Sequence, residues 1–180
     1  DAAWFDEKLE GRGLSRTVGY PTFLDWRERT RSFSSMAAMA YWQPNLIADG
    51  QPERLEGRRV SSSFFRTLGV PMALGRDLAD EEDRPDRRRV VVLTHSLFQR
   101  RFGGDPSLVG KTITLNESPH LVAGILPPGV SSPLDPGVAE LREPIPLSGD
   151  DACAERRVEG ELAEQFGGVF EVLRPELDPG

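Results

Sequence analysis

The sequence predicts an α+β fold, and three observations carry the prediction. Residues 90–93 read Val-Val-Val-Leu, a continuous β-branched run of the kind that forms a strand covered on both faces. Residues 112–115 alternate Thr112/Thr114 with Ile113/Leu115, as a half-buried strand requires. Two short apolar-periodic segments, around Phe64–Leu68 and Leu97–Phe102, each run into glycine, as helices do where they stop. With 180 residues the chain suits one ordinary domain or two small subdomains.

Residues 1–19 mix charge, glycine and serine and read as a lead-in. A helix is expected from Tyr20, with Pro21 in its first turn. Tyr20, Phe23, Leu24 and Arg27 share a face, Trp26 lies at its edge, and Asp25 and Arg29 are spaced to pair on the wet side. Asp49-Gly50 marks a turn between two extended stretches, and Leu55, Arg58 and Val60 suggest a returning strand. Serines 61–63 offer an N-cap to a short helix with Phe64, Phe65 and Leu68 on its buried stripe. Gly69 ends that helix and Pro71 prevents its continuation.

Residues 75–89 are polar and read as a surface connection. A helix with Phe98 and Phe102 one turn apart follows the strand at 90–93, with Ser96 as its expected cap. Two strands within 111–126 are joined through Asn116-Glu117-Ser118. A Pro/Gly/Ser loop at 127–137 marks a subdomain boundary. "PIPL" (144–147) reads as a short edge strand, and 156–173 as a helix followed by a strand. Residues 63–75 and 168–180 share a faint echo, best explained by chance.

Composition excludes some functions. The formal net charge of −7 argues against nucleic-acid binding, which needs a basic face. The single cysteine, Cys153, cannot form an intrachain disulfide. No apolar run approaches the ~18–20 residues of a membrane helix, and no signal peptide is visible. The chain opens on Asp1, so it is read as a piece of a larger protein whose anchor lies elsewhere.

Four features invite a chemical reading. "GDPSLVGKT" (104–112) looks like a phosphate-binding loop. That loop needs four residues between glycine and Gly-Lys, whereas five separate Gly104 from Gly110. It should also follow a strand and open a helix, and here the order is reversed. Pro106 removes one of the backbone donors the cradle relies on. A capped turn, with Asp105 as cap and Gly110 closing it, is the better reading. Ser96 sits where a nucleophile elbow would place its serine, but the flanking glycines are missing, and His95 and His120 are the sole histidines. Two histidines and one cysteine do not make a zinc set, and the acidic run 79–86 lacks calcium-loop spacing. That run and Arg87–Arg89 read as solvated charge. Met39, Trp42 and Leu46 lie in a methionine- and aromatic-rich stretch that could contact a partner, against the alternative of core packing.

The order of motifs supplies what composition does not. "YPTFLDWRERTRSFSSMAAM", then "DGQPERLEGRRVSSSFFRTLGVPMALGRDLADEED", then "VVVLTHSLFQRRFGGDPSLVGKTITLNESPHLVAGILPPGV" resemble the MacB-like periplasmic core domain of ABC-transporter permeases of the MacB, FtsX and LolC type. The form is closest to the duplicated orphan permeases of acidobacteria and related bacteria. The resemblance covers about residues 18–130.

The resemblance implies a porter-like αβ subdomain with an inserted, mostly-β subdomain. Residues 1–19 would lead in from a first membrane helix, 20–75 form the first porter half, and 76–147 the insertion. Residues 148–180 would be an atypical return segment, the second porter half shortened or rearranged. It also implies a non-catalytic domain on the periplasmic side of the cytoplasmic membrane, with no catalytic, cofactor or metal residues. ATP would be hydrolysed by a cytosolic ABC ATPase subunit and felt through membrane helices. The other implied partners are a second permease copy or repeat and a periplasmic adaptor or outer-membrane channel. The matched positions are structural: Trp26, Phe64, Phe65, Leu68, Gly69, Gly75, Arg76, Phe102, Gly103, Gly110, Asn116, Gly124 and Pro127. The alternatives are a small serine hydrolase using Ser96 and a freestanding ligand-binding or adhesion module.

Overall fold

The β-branched run at 90–93 lies in the middle of the molecule, and the remaining elements are arranged around it. The structure, a computed structural model, describes residues 20–29, 31, 33–48, 51–84, 87–130, 139–145 and 170–175. In chain order the elements are α1 (Tyr20–Arg29), β1 (Phe33–Trp42), β2 (Asn45–Ala48), β3 (Gln51–Arg54), β4 (Gly57–Val60), α2 (Phe64–Leu68) and β5 (Leu74–Gly75). There follow β6 (Val90–Leu93), α3 (His95–Phe102), β7 (Thr112–Leu115), β8 (Ser118–Ile125), β9 (Leu141–Pro144) and β10 (Phe170–Pro175). Single 3₁₀ turns occur at Asp80–Asp83 and Pro106–Leu108.

The strands form one mixed sheet in the order β10-β1-β4-β9-β6-β8-β7-β2-β3, with β5 also pairing with β8. β6 runs parallel to β8 and antiparallel to β9, so it has a partner on each edge. Its side chains alternate between two cores. Val91 and Leu93 pack with Leu97 and Phe98 of α3 and with Leu46, Leu115 and Leu141. Val90 and Val92 pack on the other face with Phe64 and Phe65 of α2, Met39 and Leu126. This is why an unbroken β-branched run belongs here: neither face meets water.

Turns and caps follow local chemistry. β7 and β8 meet in a two-residue hairpin, Leu115 opposite Ser118, with Asn116 (φ 46°) and Glu117 (φ 61°) both left-handed. That geometry matches the strand twist and favours asparagine. The predicted three-residue link is therefore one residue shorter, Ser118 being already in β8. Gly69 (φ 68°) and Gly103 (φ 62°) end α2 and α3 in the left-handed cap. β2 and β3 pair as an antiparallel hairpin with Ala48 opposite Gln51; the Asp49-Gly50 turn itself lies outside the described residues.

Several expectations need correction. Ser63 makes no cap bond; its hydroxyl donates to the Met36 carbonyl 2.7 Å away, and the Ser61 hydroxyl accepts from the Ala38 amide at 3.0 Å. These serines tie α2's entrance to β1. Thr94 caps α3 through its hydroxyl to the Leu97 amide, displacing the expected Ser96. The "PIPL" edge strand is instead β9, three residues earlier and interior, between β4 and β6. Arg142 and Glu143 hid it, because charged residues in a fully buried strand break the apolar pattern. The faint echo is no structural repeat: residues 64–68 are helix and 170–175 strand. The lead-in 1–19, the boundary loop beyond residue 130 and the helix expected near 156–167 lie outside the described residues.

Candidate functional site

The positions singled out by motif are mostly fold-making ones. Gly75 on β5 lies opposite Gly124 on β8. A Cβ on Gly75 would sit 2.2 Å from the Ala123 carbonyl oxygen, and its φ of 76° already disfavours other residues. A Cβ on Gly124 would sit 2.6 Å from the Arg76 carbonyl oxygen. Two backbones meet here with no room for side chains. Arg76 then turns its guanidinium to Glu82, with contacts of 2.6 and 3.0 Å, and to the Asp77 carbonyl. Phe64 and Phe65 are buried edge-to-face, 5.5 Å between centroids, while Leu68 and Phe102 are partly buried against the two cores. Trp26 departs from the packing role: on α1 it is 40% exposed, whereas Phe23 on the same helix is fully buried.

Met39, Trp42 and Leu46 do not form a surface. Met39 and Leu46 are fully buried in opposite cores and leave nothing for a partner to touch. β1 lies between β10 and β4 and β2 between β7 and β3, so both are interior strands and the apolar stretch is core. Trp42 is partly buried and covers something unexpected. His120, fully buried on β8, places Nε2 2.9 Å from Glu143 Oε1 on β9, while Nδ1 lies 2.9 Å from the Ser118 carbonyl. Arg59 on β4 donates Nε to Glu143 Oε2 at 3.3 Å and stacks over the Trp42 ring at 5.3 Å. A carbonyl can only accept, so Nδ1 carries a hydrogen. The Nε2···Oε1 contact joins the imidazole to the carboxylate two strands away. The row Arg59–Glu143–His120 straps β4, β9 and β8 together. Its members stand 84 and 23 residues apart in sequence, so no local motif could announce it.

A second polar cluster joins the acidic turn to α2. Asp83 is buried, and both its oxygens accept from the Ser62 amide, at 2.9 and 3.1 Å; the Ser62 hydroxyl adds a bond of 2.8 Å. Burial pushes the Asp83 carboxyl up to about 6, outweighing these bonds and the charge of Arg27. The Arg66 guanidinium bonded to Asp80 holds that carboxyl below its usual range. The acidic run is thus not simply solvated: its carboxylates dock the turn onto α2 and Arg76.

The hydrolase constellation is not brought together. Ser96 Oγ lies 3.1 Å from Thr94 Oγ1, His95 Nε2 lies 3.5 Å from Gln99, and His120 is engaged with Glu143. "GDPSLVGKT" is a capped turn. Asp105 accepts from the Ser107 amide at 2.9 Å, Pro106–Leu108 make one 3₁₀ turn, and Gly110 (φ 86°) leads into β7. Among the described residues no group of three or more acidic, histidine or cysteine side chains is placed to hold a metal. None of their helices is long and apolar enough to cross a membrane.

The two-sided mixed sheet is a fold shared with solved extracytoplasmic domains of ABC-type transporters. It superposes on the periplasmic region of MacB from Actinobacillus actinomycetemcomitans with a TM-score of 0.58 at 16% identity, covering 90% of this chain and 82% of that one. The extracellular domain of the noncanonic ABC-type transporter YknZ from Gram-positive bacteria gives 0.58 at 14% identity, covering 86% and 71%. The MacB-like periplasmic core domain model matches residues 8–141, and the chain belongs to that family. No curated protein matches it.

Proposed function

We propose that this domain is the non-catalytic, extracytoplasmic part of an ABC-transporter permease, carried by membrane helices of the same polypeptide. The observation that carries the reading is the family match across residues 8–141. A cytosolic ATPase partner hydrolyses ATP, and the membrane helices pass the movement to this domain. The domain transmits it to a second permease copy or repeat, and onward to an adaptor or outer-membrane channel, for efflux or extrusion of cargo. Transmission of this kind needs a stiff body, and the continuous sheet with both faces packed supplies one.

Within that reading, residues 20–75 and 148–180 form the porter-like unit. β10 supports this by returning from the last span to pair with β1 of the first, Met39 opposite Phe170. Residues 76–147 form the inserted β-rich unit, and its outer edge is completed by the β2–β3 hairpin. The full-length protein tests the placement. With Cys153→Ser as background, Lys111→Cys on the exposed turn before β7 should react with a membrane-impermeant maleimide in cells whose cytoplasmic membrane is intact. Labelling only after that membrane is lysed contradicts the reading.

A further inference from the structure

The segment Asp80–Arg89 is written as an acidic half followed by a basic half, and the fold treats the two differently. Asp80 is bound to Arg66, Glu82 to Arg76, and Asp83 is buried on Ser62. The arginines are left over. Arg84, Arg87, Arg88 and Arg89 are all exposed, and none makes a side-chain hydrogen bond or ion pair with a described residue. A chain with net charge −7 therefore carries four exposed arginines, uncommitted among the described residues, in a six-position stretch that also holds Asp86.

Their place in the sheet follows from the strand pairings. β1 begins at Phe33, opposite Pro175, where β10 finishes. β4 runs toward that end, with Val60 opposite Met39. β9 is parallel to β4, and β6 is antiparallel to β9, so Val90 begins β6 at the same end. The arginines that lead into Val90 thus lie at the end of the sheet where the described chain enters β1 and leaves β10. On the permease reading, on which this inference rests, that end is turned toward the bilayer.

We infer that Arg84, Arg87, Arg88 and Arg89 form a bilayer-facing patch that binds the phosphate headgroups of anionic phospholipids. Guanidinium matches phosphate oxygens with paired N–H donors. Juxtamembrane basic residues act additively on an anionic surface, and the effect is screened by salt. Headgroup binding would hold the domain upright on the membrane while its helices move.

The test is co-sedimentation of the 180-residue chain with vesicles of phosphatidylcholine alone or containing phosphatidylglycerol. Binding should require phosphatidylglycerol and fall with added salt. It should weaken at least about tenfold in R84Q/R87Q/R88Q/R89Q and persist in the corresponding lysine variant. Circular dichroism melting of each variant checks that folding is intact. Equal binding to both vesicle types, or unchanged binding of the glutamine variant, overturns the inference. So does capture of the chain by immobilised polyglutamate without capture by vesicles, which would make the patch a site for an acidic polypeptide. Maleimide labelling of Lys111→Cys reads the permease assignment separately, so failure of one is distinguishable from failure of the other.

Discussion

Asp83 makes a contribution to the pH response of the domain that can be followed at a single residue. Its folded carboxyl titrates near 6 because burial disfavours the charge, while an unfolded aspartate titrates near ~3.9. Between those values the folded state binds more protons, so stability falls as pH rises through the window and levels off above it. Asp83→Asn keeps an acceptor for the Ser62 amide and removes the buried charge. Chemical denaturation of this variant should show a gain on the order of 1–2 kcal/mol at pH 7.5 and a flatter profile between pH 4 and 6. A loss of stability at pH 7.5 would mean that the Ser62 bonds outweigh the cost of burial. Glycines give a second residue-scale test. Gly75→Ala meets both a positive φ and the Ala123 carbonyl, whereas Gly103→Ala meets only the positive φ, with nothing within 4 Å. Gly103→Ala should cost about 1 kcal/mol and Gly75→Ala distinctly more, read as thermal unfolding midpoints. The need for glycine at Gly103 was legible in the sequence; Gly75 was singled out only through the family resemblance, and its reason, a backbone one strand away, was not legible.

At the scale of elements, strong local patterns were legible and tertiary polar contacts were not. β6 and α3 follow from their own residues: a β-branched run, then two phenylalanines one turn apart ended by glycine. β9 escaped because Arg142 and Glu143 are buried by partners on other strands, which no window of sequence contains. The same blindness left Met39 and Leu46 open to a partner-contact reading beside the core-packing one, and they are core. The strap is testable as a unit. Glu143→Ala leaves the buried His120 imidazole without its carboxylate and should cost about 3–5 kcal/mol. His120→Phe combined with Glu143→Ala should cost less than the two single changes summed, and the difference in a double-mutant cycle reports the coupling. Additive losses would show that the pair contributes no coupling. Phe98→Ala, which empties the α3 core on the face opposite α2, should cost about 3–5 kcal/mol by the same denaturation assay.

At the scale of the whole molecule, one packed sheet belongs to the family of MacB-like periplasmic core domains. The order of motifs along the chain identified the family, and the fold agrees with solved extracytoplasmic transporter domains at identities near 15%. Function was legible only through that order, because under the proposed function a domain that transmits movement needs stiffness and surfaces rather than a catalytic constellation. "GDPSLVGKT" illustrates the point: it mimics a nucleotide loop yet closes a turn beside β8, with the Gly110 amide donating to the Val122 carbonyl at 2.9 Å. The decisive measurement is the distance between paired domains in the full-length permease, reconstituted in nanodiscs with its ATPase partner. Spin labels at Lys111→Cys, in the Cys153→Ser background, would be read by pulsed electron resonance. The account predicts a distance distribution that shifts when ATP is trapped with vanadate and returns after turnover. A distribution identical in all nucleotide states, in a complex whose ATPase is active, would contradict it.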